Sequence, residues 1–179
     1  MACYIALLRG INVGTAKRVA MAELRTMVAE LGYTDVRTLL NSGNVVFHGR
    51  AKPVQAVAEA IEAALHARLG VKARVTVLLK DELDAIVAQC PLGDKPDGAR
   101  VQVFMLRQGQ ERSALAALAA TDWGEEVLAL GERAAYLWCP NGVLESRSAA
   151  ALGKLLGDAT TARNWNTLCK VQALAQGSA

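Results

Sequence analysis

The chain has 179 residues, a formal net charge of +3, 21% charged residues and 4% aromatics. That is the composition of a soluble globular protein able to bury a sizeable core in one or two small domains. No apolar run reaches a membrane span, Arg9 interrupts any secretory-type N-terminal pattern, and the charge is too small to argue for nucleic acid by itself, so a cytoplasmic protein with no membrane partner is expected.

Residues 3–8 read as a buried strand that stops at Arg9. The stretch Leu7-Leu8-Arg9-Gly10-Ile11-Asn12-Val13-Gly14 then leaves the core through two glycines and an asparagine. Residues 20–31 carry Leu24, Met27, Val28 and Leu31 at helical spacing, with Gly32 as a stop. Val36–Leu40 and Val45–Phe47 read as a hairpin around the turn Asn41-Ser42-Gly43-Asn44. Pro53 opens a helix whose stripe is Val54, Val57, Ile61, Leu65 and Leu69, and Gly70 ends it. Ala73–Leu79 is a strand. The order β-α-β-β-α-β predicts an N-terminal ferredoxin-like (split β-α-β) subdomain over 1–80.

Residues 81–90 read as a helix, and 91–98 as a Pro/Gly-rich loop. A strand at 100–106, a helix near 112–120, a hairpin of 127–130 with 135–139, and helices at 147–156 and 162–175 follow. The fold class expected is α+β. A second, topologically similar subdomain over 81–179 has an extra helix where its fourth strand would be, and the two subdomains form one compact unit.

Cys3, Cys90, Cys139 and Cys169 are far apart and form no CxxC pair, and only His48 and His66 accompany them. Reduced, mostly buried thiols are the expectation, with no metal and no cofactor.

In a split β-α-β unit the loop after the first strand and the turn after the second lie at one edge of the sheet. That edge collects Arg9, Asn12, Gly14 and Lys17 from one loop, and Ser42, Gly43 and Asn44 from the other. Glycines let backbone N–H groups approach a ligand, and arginine matches a carboxylate or phosphate. The edge suits an anion. The competing reading is turn chemistry: Gly43 supplies a positive φ, the asparagines satisfy the turn, and Arg9 is solvated. Neither a P-loop nor a GxGxxG fingerprint is present. In Thr160–Thr167, Thr161 is a candidate N-cap for the last helix, which places Arg163 in its first turn, where a cation opposes the helix dipole unless an anion is near. Arg163, Asn164 and Thr167 join the anion-binding candidates.

Several segments together resemble a known family. "LLRGINVG" with "MAELR", "NSGNVVF" and "TARNWNT" are similar to the DUF1697 proteins, bacterial proteins of unknown function. The resemblance spans nearly the whole chain and implies two α+β subdomains, the first ferredoxin-like. It carries no established activity, cofactor or catalytic residue. It implies that Arg9, Asn12, Gly14, Ser42, Gly43, Asn44, Arg163, Asn164 and Thr167 are family hallmarks. This chain departs at Thr15-Ala16-Lys17-Arg18-Val19-Ala20, where relatives carry small residues, a basic residue and, commonly, a proline at the place of Ala20.

Three functions compete. A binding protein for a small phosphate- or nucleotide-containing anion is the leading expectation. An enzyme acting on such a compound is the second, although Ser42 and Thr167 lack an evident base. An RNA-binding module is the third: Tyr4 and Phe47 fall on the central strands, but the alternating aromatic signature is missing.

Overall fold

The computed structural model describes residues 1–14, 18–93, 97–106 and 112–177. Lys17, expected at the anion-binding edge, and residues 94–96 of the expected loop lie outside them. The chain divides into two compact units, Met1–Leu83 with Lys170–Ala179, and Asp84–Cys169.

The first unit runs β1 (Ala2–Leu8), α1 (Met21–Glu30), β2 (Thr34–Leu39), β3 (Asn44–Gly49), α2 (Val54–Leu69) and β4 (Val75–Leu79). Its sheet has the order β2-β3-β1-β4, and every neighbouring pair is antiparallel. β3 is therefore inserted between β1 and β2. The continuous apolar run of β1 is explained by burial on both faces: Tyr4, Ile5, Ala6 and Leu7 are all fully buried. Tyr4, Ala6, Leu8, Val45, Phe47 and Val77 form one core with Leu24, Met27 and Val28 of α1 and Val57, Ile61 and Leu65 of α2. The predicted helical stripes are thus the faces that pack. Gly70 ends α2 at φ 62, with its N–H donating to the His66 carbonyl and that of Val71 donating to Leu65. Tyr4 and Phe47 stack with centroids 5.5 Å apart, and Tyr33 meets Phe47 edge-on at 4.7 Å.

α3 (Lys80–Ala88) straddles the division between units. The second unit continues with β5 (Val101–Met105), α4 (Arg112–Ala119), β6 (Val127–Leu130), β7 (Ala134–Trp138), α5 (Arg147–Leu156) and β8 (Ala162–Asn164), and α6 (Trp165–Ala175) starts in it. This sheet has the order β6-β7-β5-β8, again antiparallel throughout. Its core joins Phe104, Leu115, Leu128, Leu137, Leu152 and Leu156. The Tyr136 hydroxyl donates to the Ile86 carbonyl at 2.7 Å, and burial, helped by Cys90, pushes its pKa to about 12.

Two expectations are corrected here. The second unit does have a fourth strand, because residues 162–164, expected to open a helix, form β8. Ala162, Arg163 and Asn164 pair with Phe104, Val103 and Gln102 along the edge of β5, and the Met105 N–H donates to the Thr161 carbonyl at 3.0 Å. An edge strand's unpaired backbone groups outweigh the weak helical preference of three residues. The thiols are also less buried than expected: Cys139 is buried, whereas Cys3, Cys90 and Cys169 are half-buried.

Candidate functional site

At the edge where β1 ends and β3 begins, the Leu8 N–H donates to the Gly43 carbonyl at 2.9 Å. Asn12 Nδ2 donates to the Asn41 carbonyl at 2.8 Å. The loop 9–14 and the turn 41–44 are therefore one structure. The topology accounts for this: β1 and β3 are adjacent and antiparallel, with Leu7 opposite Asn44, so the end of one strand meets the start of the other.

The asparagine amides expected to face a ligand are engaged within the protein. Asn12 Nδ2 also donates to the Val19 carbonyl at 2.9 Å, while its Oδ1 accepts from the Val19 N–H at 2.7 Å. Arg18 donates to the Asn12 carbonyl at 3.1 Å. Asn12 thus ties the loop to the start of α1 and to the turn. Asn44 is fully buried, and its Nδ2 donates to the Leu39 carbonyl at 2.8 Å and to Ser42 Oγ at 3.0 Å. A buried amide must find such partners, and here the turn supplies them.

Gly43 has φ 77, and a Cβ there would lie 2.7 Å from Ile11 Cδ1 and 2.8 Å from Leu8 Cβ. It serves both a left-handed turn position and a close approach between the two loops. Gly10 and Gly14 differ: each has a positive φ, 71 and 51, with open space where a Cβ would stand. Asn12 between them has φ 54, whereas Ile11 and Val13 stay on the ordinary side of φ. Arg9 is exposed, and its N–H donates to the Arg74 carbonyl at 2.9 Å.

The second motif belongs to the second unit. Arg163 sits in the middle of β8, not in a helix, and donates from Nη1 to the Ala162 carbonyl at 2.9 Å. Desolvation lowers its guanidinium to about 10, which leaves it charged at neutral pH. Asn164 Oδ1 accepts the Thr167 N–H at 2.8 Å, so Asn164, rather than Thr161, caps α6.

One cluster escaped the sequence reading. The Glu126 carboxylate accepts from Ser148 Oγ at 2.5 Å, Ser146 Oγ at 2.7 Å, and the N–H groups of Arg147 and Ser148, both at 2.9 Å. Ser146 in turn accepts from the Ala149 N–H at 3.0 Å. Desolvation raises the carboxyl's pKa, but the four donors outweigh it and hold the value at about 2. The site is the amino end of α5, where unsatisfied N–H groups favour an anion. Ser146 before a helix is a legible cap signal; a glutamate twenty residues earlier is not.

Among the described residues, no group of three or more His, Cys, Asp or Glu is placed to hold a metal ion, and no helix is long and apolar enough to cross a membrane. Tyr4 and Phe47, which an RNA-binding sheet would present on its surface, are fully buried.

A conserved bacterial protein, SP0830 from Streptococcus pneumoniae, matches with a TM-score of 0.79 and 25% identity, over 97% of this chain and 98% of that one. No curated protein matches the chain. The model of DUF1697, a protein family of unknown function, matches residues 1–136, which contain both loops of the edge but not the Arg163 motif. The chain belongs to the DUF1697 family.

Proposed function

We propose that the edge formed by residues 9–14 and 41–44 binds a small anionic, phosphate-containing ligand. The observation that carries this reading is the recurrence of positive φ at every second residue, Gly10, Asn12 and Gly14, with values of 71, 54 and 51. Residues of positive φ alternating with residues of negative φ are a feature of anion-binding nests, in which successive N–H groups turn toward one side. The open space beside Gly10 and Gly14 leaves room for a ligand to approach the backbone there. Exposed Arg9 and Arg18 flank the loop, and the first acidic residue of the chain is Glu23. Asn12 and Asn44 shape the site and do not donate to the ligand; Arg9, the loop backbone and Ser42 do. The first unit is read as ferredoxin-like, and a phosphorylated metabolite suits the cytoplasmic setting expected of it.

The test is a thermal-shift series with inorganic phosphate, pyrophosphate and ribose 5-phosphate. A ligand at a hundredfold over its Kd adds about 2.7 kcal/mol, roughly 5–11 °C for a chain of this size. The shift is expected to disappear in Arg9→Ala. A shift that survives there refutes the location, and no shift with any phosphate compound refutes the reading. Arg163→Ala, run alongside, tests whether the second motif contributes.

A further inference from the structure

We infer that the ligand at this edge is a nucleoside phosphate, its phosphate on the 10–14 loop and its base against Val13 and Leu40. The inference rests on the anion-binding reading above and adds what else the ligand must carry.

Val13 is 57% exposed and Leu40 is 52% exposed. They stand on the two loops of the edge, each one residue from an end of the Asn12-to-Asn41 hydrogen bond. Two large aliphatic residues, one on each loop, are thus exposed next in sequence to the residues that join the loops. The loop is able to bury such groups, because Ile11, two residues from Val13, is 2% exposed and lies where a Cβ on Gly43 would stand.

Leu40 carries a second signal. It has φ 57, a conformation that side-chain-bearing residues other than Asn and Asp seldom adopt. The bond from Asn44 Nδ2 to the Leu39 carbonyl closes the turn around it and holds it there. Turn chemistry would be served better by Gly or Asn at this position. A leucine is strained and exposed at once, the combination expected where a side chain is kept for contact with a ligand.

The chemistry of the edge is thus mixed. Guanidinium groups of Arg9 and Arg18 and the loop N–H groups suit a phosphate. The apolar pair suits a flat, weakly hydrated group attached to it. Inorganic phosphate and sugar phosphates leave that pair uncovered, whereas a nucleoside phosphate satisfies both halves. A single-stranded nucleic acid fits less well, because such sites stack successive bases on aromatic rings, and Tyr4 and Phe47 are fully buried.

The test is calorimetric titration of the full chain with AMP, GMP, UMP, phenyl phosphate, ribose 5-phosphate and inorganic phosphate at one ionic strength. At least one nucleoside monophosphate is expected to bind about tenfold or more tighter than ribose 5-phosphate, from the apolar area it covers. The variant Leu40→Asn removes the larger of the two apolar side chains while Asn tolerates the left-handed backbone. It is expected to lose that advantage and keep its affinity for ribose 5-phosphate, which also shows that it folds. Equal affinity of nucleotides and ribose 5-phosphate, equal affinity for phenyl phosphate, or an advantage retained in the variant overturns the inference and leaves the anion site standing. Binding of no phosphate compound removes both.

Discussion

Replacement of Gly43 by alanine separates the two demands placed on that glycine. The first is conformational: at φ 77 an alanine pays about 1–2 kcal/mol that glycine does not. The second is steric. The new Cβ would stand 2.7 Å from Ile11 Cδ1, which can rotate away, and 2.8 Å from Leu8 Cβ, which cannot. Leu8 is 1% exposed, and its N–H is bonded to the Gly43 carbonyl, so relief requires strand β1 to shift against β3. Overpacking of this kind costs about 1–3 kcal/mol. The expected total is about 2–5 kcal/mol, a large part of the ~5–15 kcal/mol by which a domain is stable. Gly10→Ala is the matched control, since Gly10 has φ 71 but open space around it, and should cost only the conformational ~1–2 kcal/mol. The assay must report the first unit. All three tryptophans, Trp123, Trp138 and Trp165, lie in the second, so their fluorescence is the wrong probe. Hydrogen exchange of the β1 and β3 amides under native conditions reads the right transition. If Gly43→Ala and Gly10→Ala destabilise β1 and β3 equally, within about 0.5 kcal/mol, the close-approach argument is wrong.

The second unit offers two further tests, and tryptophan fluorescence suits both. Glu126 has a folded pKa of about 2 against an ordinary 4.5, so its stabilising effect is fully present above about pH 4.5 and is lost as pH falls toward 2. Because the carboxylate is only half-buried, solvent screening reduces that effect to about 1–3 kcal/mol; Glu126→Gln should lose this much at pH 7 and flatten unfolding stability between pH 4.5 and 2, and an unchanged slope refutes the assignment. Asn164→Ala removes the cap of α6 and is expected to cost about 1 kcal/mol in denaturant unfolding, whereas Asn164→Asp, which keeps an acceptor for the Thr167 N–H, should cost less; equal costs would refute the cap assignment.

Much of the architecture was legible because its causes are local. Leu24, Met27 and Val28 recur at helical spacing, and those are the residues α1 buries. Gly70 ends α2 because a left-handed residue is needed there. The neighbourhood of the 9–14 loop and the 41–44 turn followed from element order alone, through the adjacency of β1 and β3. What the side chains in those loops do was less legible. Asn12 and Asn44 have the same donors whether they face a ligand or a carbonyl, and only the tertiary fold brings the carbonyls of Val19, Asn41 and Leu39 within reach. Val13 and Leu40 read as ordinary apolar residues in sequence, and their exposure is a property of the folded loops.

The amino-acid sequence by itself determined the α+β class, most element positions and the family, since periodicity, glycine stops and short motifs act over a few residues. The tertiary structure decided the rest. Residues 162–164 became β8 because the edge of β5 had backbone groups to satisfy, which no local preference records. Glu126 came to cap α5 from twenty residues away, because a helix terminus binds whichever carboxylate the fold brings to it. Arg163 moved from a helix start to the middle of a strand for the same reason as β8 itself: hydrogen bonds between segments distant in sequence outweigh the weak preferences within them.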